Sequence, residues 1–297
     1  MDSLKVGIFG QFYHPDAEVY IGQLLETLDK EHISVFIENN FSNAVDKKNP
    51  SQSRLLNYPT FKKLDSSFNL LFSIGGDGTM LHAVSAIKDL KIPLAGINTG
   101  RLGFLASIPK ESIKKSISEI INGKYAISER SLLDISIVPE EVSLKKLNFA
   151  LNDISVIRKN TTSMIKIEAF LNGEYLTTYW SDGLIVSTPT GSTAYSLSCG
   201  GPILMPTTDS FIITPISVHN LNVRPVVIPD DTVIKLKISG RDDKYLMSLD
   251  SRTTVLPNHS EITIKKSPFT VNIIQLHNES FIKTLRKKLL WGEDKRN

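Results

Sequence analysis

The stretch NLLFSIGGDGTM at residues 69–80 decides the fold of this chain. Its first part, Asn69 to Ile74, is apolar and predicts a buried strand, and Thr79 to Leu90 predicts a helix. Glycines fill the turn between them. A strand that passes through a glycine turn into a helix is typical of open α/β sheets, which bind ligands at the carboxyl edge of their strands. The sequence therefore predicts a ligand site at this turn.

Strands and helices alternate on both sides of the turn. The further predicted elements are strands at 6–9, 33–37 and 92–97 and helices at 17–28 and 112–121. Such alternation favours a parallel sheet with helices on its faces. We therefore predict an N-terminal Rossmann-like α/β domain over residues 1–125, in which the polar segment 39–64 is irregular.

After Gly123 the chain changes to short segments rich in β-branched residues. The predicted strands are 131–138, 154–157, 165–171, 184–187 and 233–238. We therefore predict an all-β half, a β-rich domain of the β-sandwich type, over residues 126–278. A final helix begins near Glu279, so that residues 279–297 can pack back on the first domain.

Composition narrows the class of protein. The 297 residues are 41% hydrophobic and 22% charged, which is typical of a globular chain. The net charge of +3 is small and the charges are scattered, which argues against a nucleic-acid partner. No apolar run reaches about 18 residues, so we expect no membrane span. Cys199 is the single cysteine, which excludes an intramolecular disulfide and fits a cytoplasmic location.

The glycine turn has the composition of a phosphate site. Gly75, Gly76 and Gly78 remove every Cβ that would keep a phosphate from the backbone, and with Thr79 they present the N–H groups of a helix start. A carboxylate here repels phosphate unless it takes part in the chemistry, so Asp77 is predicted to orient and deprotonate a hydroxyl. The alternative is a tight turn in which Asp77 only caps the helix. The sequence has neither G-x-x-x-x-G-K-[ST] nor G-x-G-x-x-G, which argues against other phosphate loops and against a dehydrogenase.

Three further segments follow GGDGT in a fixed order. They are GINTGRLGFL at residues 96–105, the pair Asn152-Asp153, and SDGLIVSTPTGSTAYS at residues 181–196. In this order the four segments resemble the motifs of the NAD kinase family. Lipid kinases and, in related form, phosphofructokinases are similar only in the first.

The resemblance implies a reaction and its participants. The γ-phosphoryl group of ATP would pass to the 2′-hydroxyl of the adenosine ribose of NAD, giving NADP. A divalent cation, Mg²⁺, would neutralise the phosphates, and it binds mainly through them rather than through protein carboxylates. Family members are usually homodimers or homotetramers, so the resemblance implies that this chain forms one of these oligomers. Two alternatives stay open: a kinase of another hydroxyl, in a lipid or a sugar, and a non-catalytic NAD(P)-binding sensor.

Candidate nucleotide contacts extend beyond the glycine turn. The amide and carboxylate of Asn152 and Asp153 either form an ordinary turn or hydrogen-bond a nucleotide, and the resemblance implies that they hold the adenosine of NAD. The hydroxyl-rich segment 188–198 is either a loop or a second cradle, in which Tyr195 offers a flat apolar face. The family often has a basic residue where this chain has Trp180. With Asp77 as the catalytic residue, the candidate contacts are Gly75, Gly76, Gly78, Thr79, His82, Asn98, Asn152, Asp153, Asp182, Thr190, Thr193, Ala194, Tyr195, Ser196, Ser198 and His219.

Overall fold

The computed structural model describes residues 4–11, 17–48, 53–140, 147–160, 163–220 and 222–292. Up to residue 130 the elements are β1 (Lys5–Gly10), α1 (Glu18–Lys30), β2 (Ser34–Glu38), α2 (Asn39–Lys48), β3 (Thr60–Phe61), β4 (Leu70–Gly75), α3 (Asp77–Ile87), β5 (Leu94–Asn98), β6 (Ile108–Pro109), α4 (Ile113–Ile121) and β7 (Tyr125–Arg130).

The elements that follow are mostly strands. They are β8 (Leu133–Val138), β9 (Phe149–Ala150), β10 (Asp153–Arg158), β11 (Ile165–Leu171), β12 (Glu174–Ser181), β13 (Gly183–Ser187), α5 (Tyr195–Ser198), β14 (Ser210–Ile216), β15 (Val226–Pro229), β16 (Ile234–Gly240), β17 (Lys244–Leu249), β18 (Arg252–Pro257), β19 (Glu261–Lys266), β20 (Val271–Leu276) and α6 (Phe281–Leu289). Among the described residues, no helix is both long and apolar enough to cross a membrane.

The first compact unit comprises Met1–Glu129 and Val271–Asn297 and is built on an eight-stranded sheet. Its strand order is β3-β2-β1-β4-β5-β20-β7, with β6 paired to β5, and the pairs from β3 to β20 are parallel. Helix α1 buries its apolar positions between Ile21 and Leu28, and α4 buries those between Ile113 and Ile120. The parallel α/β fold that the sequence predicts is confirmed.

The second compact unit, Arg130–Thr270, consists of two six-stranded sheets whose pairs are antiparallel. The strand orders are β15-β14-β13-β10-β17-β18 and β12-β11-β16-β19-β8-β9. Both sheets contribute to one hydrophobic core, in which Val156 and Met247 come from the first sheet and Ile167 and Leu236 from the second. The β-rich second part that the sequence predicts is confirmed.

The division into units differs from the sequence-based boundaries at strand β20. The sequence places residues 271–276 in the β-rich domain, whereas β20 pairs in parallel with β5, where Ile273 lies opposite Leu94. Buried side chains at Val271 and Ile274 explain why this strand lies inside the larger sheet, between β5 and β7, and not at its edge. The terminal helix α6 also lies in the first unit.

The expectation that residues 39–64 are irregular is wrong for the first part of the segment. Helix α2 occupies it and buries Phe41 and Val45, which lie one turn apart. The Glu38 carboxylate accepts the N–H of Phe41 at 2.8 Å and so satisfies a donor at the helix start. Residues 49–52 lie outside the described residues. A short 3₁₀ turn at Arg54–Asn57 follows, with Ser53 as its cap.

Candidate active site

The GGDGT turn connects β4 to α3 in the first unit. Gly75 ends the strand with φ of 150°, a conformation that favours glycine, and a Cβ there would lie 2.3 Å from the Thr79 hydroxyl oxygen. Gly76 is the N-cap of α3, and Asp77 is its first residue. A Cβ at Gly76 or at Gly78 would meet nothing within 4 Å. Open space therefore lies beside the backbone just before and just after Asp77, as a phosphate site requires.

The carboxylate of Asp77 is held by three consecutive backbone N–H groups. Its Oδ2 accepts from Phe104 at 2.7 Å, and its Oδ1 accepts from Leu105 at 3.0 Å and from Ala106 at 2.9 Å. A carboxylate offers roughly four lone-pair positions, so Oδ2 keeps room for one further hydrogen bond. A Cβ at Gly103 would lie 1.8 Å from Oδ1, so this approach requires glycine.

These contacts join two motifs that the sequence analysis treats separately. The segment that begins at β5 supplies the amides, and GGDGT supplies the carboxylate that they bind. Asn98, a candidate nucleotide contact, is 3% exposed, and its amide is engaged in its own turn, donating to the Arg101 carbonyl and accepting from the Gly100 N–H, both at 2.8 Å. The Asn98 side chain therefore shapes the turn that precedes the backbone N–H groups bound to Asp77.

His82 lies on α3, one helical turn beyond Gly78. Its Nε2 is 3.0 Å from Nε2 of Gln11. It lines a cavity of about 560 Å³ in the first unit, and the other basic side chains of this cavity are Lys62, Lys63 and Lys88. A cavity of this size can hold a nucleoside, since ligand pockets are typically about 300–1,000 Å³.

In the second unit, Asn152 and Asp153 form the turn that begins β10. A second acidic residue holds this turn in place: Asp250 accepts backbone N–H groups from Leu151 at 3.0 Å, Asn152 at 2.7 Å and Asp153 at 3.3 Å. In return, the Asp250 N–H donates to the Asp153 carbonyl at 2.9 Å. The sequence analysis missed Asp250, because nothing local relates it to a turn about 100 residues earlier.

Burial raises the pKa values of the two aspartates at this turn. Asp153 is 6% exposed, and burial, together with the charge of Asp250, raises its pKa to about 7. Burial also raises the pKa of Asp250, against the lowering effect of the amides that it accepts. The Oδ1 atom of Asn152 is buried and makes no hydrogen bond within the described residues. The turn thus offers an unpaired acceptor beside a carboxyl group that exchanges its proton near neutral pH.

The hydroxyl-rich segment forms a 3₁₀ turn at Thr190–Thr193 followed by the short helix α5. It packs on the Asn152 turn: the Thr188 N–H donates to the Asn152 carbonyl at 2.9 Å, and a Cβ at Gly191 would lie 2.1 Å from that carbonyl oxygen. Glycine at 191 is therefore needed for the two turns to meet.

The candidate residues of this segment differ in how accessible they are. The hydroxyl of Ser196 is buried against that of Thr214 at 2.8 Å, and Thr193 donates to the Thr190 carbonyl at 3.2 Å. Tyr195 is 40% exposed. Burial and the charges of nearby groups, Asp153 among them, raise its pKa. Ala194 is partly buried and Ser198 is exposed. Ser196 therefore supports the loop, while Tyr195 presents its ring beside the acidic turn.

Asp182 and His219 lie near the C-terminal end of β12. The Asp182 carboxylate accepts from Nη2 of Arg158 at 3.0 Å, and the His219 N–H donates to the Trp180 carbonyl at 2.8 Å. The exposed indole of Trp180 stands where the sequence analysis notes a missing basic residue. Among the residues that the structure describes, no group of three or more His, Cys, Asp or Glu side chains is placed to hold a metal ion.

Comparison with known proteins places both units in one family. The model of the ATP-NAD kinase N-terminal domain matches residues 6–125, and that of the ATP-NAD kinase C-terminal domain matches residues 151–276. The chain belongs to the NAD kinase family. The family that the four sequence motifs indicate is thereby confirmed.

Curated relatives and solved structures agree with this family. The NAD kinase of Christiangramia forsetii is 54% identical over 99% of this chain and 100% of its own length, and that of Flavobacterium psychrophilum is 51% identical with the same coverage. The crystal structure of yeast NADH kinase complexed with NADH has a TM-score of 0.84 at 24% identity, covering 98% of this chain and 88% of that one. The NAD kinase of Archaeoglobus fulgidus in complex with ATP has a TM-score of 0.74 at 22% identity, covering 97% of this chain and 99% of that one. At these identities the two structures show that the NAD kinase fold is shared.

Proposed function

We propose that this member of the family transfers the γ-phosphoryl group of ATP to the 2′-hydroxyl of the adenosine ribose of NAD, giving NADP and ADP. Membership of the NAD kinase family supports phosphorylation of NAD by ATP. The observation that carries the chemistry is the Asp77 carboxylate, which three amides fix inside a glycine turn and which can still accept a hydrogen bond at Oδ2.

In the proposed step, Oδ2 of Asp77 accepts the proton of the 2′-hydroxyl. The 2′-oxygen then forms a bond to the γ-phosphorus, and the bond from that phosphorus to the β–γ bridging oxygen breaks, so ADP leaves with the electron pair. The backbone N–H groups of Phe104, Leu105 and Ala106 keep the carboxylate from turning away. Most of the rate enhancement should come from such positioning and from stabilisation of charge on the phosphates.

A magnesium ion fits this arrangement as a companion of ATP. The described residues provide no cluster of carboxylates for it, so the phosphates of ATP would hold the ion, as is usual for Mg²⁺. When bound, it would supply neutralisation of phosphate charge. The open backbone at Gly76 and Gly78 leaves room for the phosphates.

We propose that residues of the second unit bind NAD, the acceptor of the phosphoryl group. Asn152 would accept a hydrogen bond from a ribose hydroxyl or the adenine amino group at its unpaired Oδ1. Asp153, with a pKa of about 7, can donate or accept there. Tyr195 would stack on the adenine through its exposed ring. Thr190, Thr193, Ser196 and Ser198 would shape the loop around these groups.

The cavity beside α3 is proposed to hold the nucleoside of ATP. Its lining carries the basic side chains Lys62, Lys63, Lys88 and His82 against the carboxylates Glu38 and Asp89, so its balance of charge is only slightly positive, and α3 begins at the glycine turn. The replacement Lys62→Ala should raise the KM for ATP and leave the KM for NAD unchanged. An unchanged KM for ATP would show that ATP, the phosphoryl donor, binds outside this cavity.

The decisive assay measures NADP formation from NAD with ATP and with polyphosphate as alternative donors. Labelled ATP with NAD, NADH, diacylglycerol and fructose phosphate as acceptors separates this function from that of a lipid or sugar kinase. Binding of NADP with no release of ADP from ATP plus NAD would favour the non-catalytic sensor instead. Light scattering after size-exclusion chromatography tests the proposed homodimer or homotetramer, and cell fractionation tests the proposed cytoplasmic location.

A further inference from the structure

Arg130, at the end of β7, carries a charge that no described residue neutralises. Its Nη1 donates to the Thr190 hydroxyl at 3.4 Å, which is long for a hydrogen bond. Its Nε is enclosed and has no hydrogen-bond partner among the residues that the structure describes. No carboxylate in the described part of the chain forms an ion pair with it, and burial alone lowers its pKa to about 10. The guanidinium therefore stays charged at neutral pH.

Other partly buried arginines of the second unit are better satisfied. Arg158 pairs with Asp182 at 3.0 Å, and Arg252 donates to the Leu147 carbonyl at 2.7 Å while lying 3.8 Å from Asp250. Removing a guanidinium from water is costly unless an anion or several acceptors replace the water. Folding alone does not account for an arginine at position 130, because an apolar side chain of similar length would fill the space at lower cost.

The position of Arg130 points to the ligand. Thr190 begins the 3₁₀ turn that packs on the Asn152 carbonyl, and the buried Oδ1 of Asn152 also has no hydrogen-bond partner in the described part of the chain. An unpaired donor and an unpaired acceptor thus flank one turn. A nucleotide offers the two complementary groups, phosphate oxygens for the arginine and hydroxyl or amino hydrogens for the amide.

We propose that Arg130 binds a phosphate group of the dinucleotide at this turn and is a further substrate-binding residue. The inference rests on the proposed function for the presence of NAD or NADP there. A guanidinium suits this role because its planar fork donates two parallel hydrogen bonds to one phosphate. The phosphate has two sources, the pyrophosphate of both dinucleotides and the 2′-phosphate of NADP alone.

Calorimetric titration of the full chain distinguishes these sources. With Arg130→Met we expect affinity to fall about tenfold or more for a ligand whose phosphate the arginine binds, and to stay unchanged for adenosine. Equal losses for NAD, NADP and 5′-AMP would assign the pyrophosphate. A loss confined to NADP and 2′-AMP would assign the 2′-phosphate.

Two controls separate binding from folding. Arg241→Met removes an exposed arginine of the same unit and should leave every affinity unchanged. The ligand-free melting temperature of Arg130→Met should equal or exceed that of the wild type, because a partly buried charge with no ion-pair partner among the described residues is lost. Should that variant fail to fold, Arg130→Lys keeps the charge without the fork and should show a smaller loss for the same ligands.

The two proposals fail in different ways. Equal affinities of the wild type and of both Arg130 variants for all five ligands would overturn the role of Arg130 while leaving the proposed reaction standing. A wild-type protein that binds NAD and NADP but forms no NADP from ATP would overturn the reaction, and the Arg130 effect on binding would still be measurable.

Discussion

Two aspartates in different units bind backbone in the same way but lie in opposite surroundings. Asp77 accepts three consecutive N–H groups at 104–106, and Asp250 accepts three at 151–153. Asp77 is partly exposed at an open glycine turn, whereas the side chain of Asp250 is only 4% exposed. In the first unit the backbone holds a carboxylate at an open turn. In the second unit a buried carboxylate holds a turn of the backbone.

The comparison predicts different kinetic signatures for the two sites, and the largest effect is expected at Asp77. Asp77→Asn should keep NAD binding and lose about 10²- to 10⁴-fold in kcat, because positioned proton transfer contributes that much. Single-turnover kinetics with a separate measurement of NAD affinity tests this. Asp46→Asn, an exposed carboxylate on α2, is the control and should be neutral. Near-normal turnover of Asp77→Asn would show that Asp77 does not accept the proton in the reaction.

The second test moves the carboxylate without removing it. In Gly103→Ala the new Cβ would lie 1.8 Å from Oδ1 of Asp77 and must displace it. A misplacement of about 1 Å can cost about 10²-fold in rate, so kcat should fall by about one to two orders of magnitude. Steady-state kinetics at saturating ATP and NAD measures the fall.

Its matched control is Gly100→Ala in the same loop, where a Cβ meets nothing within 4 Å. That variant should keep its kcat. Equal kinetics for the two variants would mean that the 103–106 backbone does not set the position of Asp77 during turnover.

The third test turns to the buried aspartate. Asp250→Asn replaces one accepting oxygen by a donor, so at least one N–H among 151–153 loses its partner. We expect the KM for NAD to rise about tenfold, with a smaller change in kcat, since this residue positions the acceptor turn. Asp243→Asn, an exposed acid of the same unit, should change neither value. A loss confined to kcat would contradict the proposal that Asp250 acts on NAD binding and Asp77 on the chemical step.

The sequence could predict the local motif at each site, but not the hydrogen bonds from distant residues that hold this motif in place. GGDGT and Asn152-Asp153 are local patterns, and the strand before the first and the helix after it follow from apolar periodicity. The amides that bind Asp77 come from 27 to 29 residues away, and Asp250 binds Asn152 across 98 residues. Backbone donors carry no side-chain signature, so only the fold brings these partners together.

The strands that the sequence analysis missed have a similar explanation. Strand β14 contains Pro215, which usually argues against a central strand, although β14 lies between β13 and β15. Strand β12 follows the hairpin signal at Asn172-Gly173, but most of its positions are exposed or partly buried because it lies at a sheet edge. Edge strands bury too little apolar surface to show a clear alternation.

The smallest expected effect concerns the pH dependence of stability in the second unit. In the folded protein the pKa of Asp153 is raised from 3.8 to about 7, by burial first and then by the charge of Asp250. Below pH 3.8 the group is protonated in both the folded and the unfolded state and adds no pH dependence. Between these two pKa values the folded protein keeps a proton that the unfolded chain has released, so the free energy of unfolding falls as pH rises. Above pH 7 both states are ionised and the penalty is constant.

We therefore expect the melting temperature of the ligand-free protein to fall between about pH 5 and pH 7 and the fall to be shallower in Asp153→Asn. Part of the slope should remain, because burial raises the pKa of Asp250 as well. Glu174→Gln, an exposed acid on β12, should reproduce the wild-type slope. If Asp153→Asn also reproduced it, Asp153 would be ionised in the folded protein across this range. Asp153 could then only accept a hydrogen bond from the nucleotide at neutral pH.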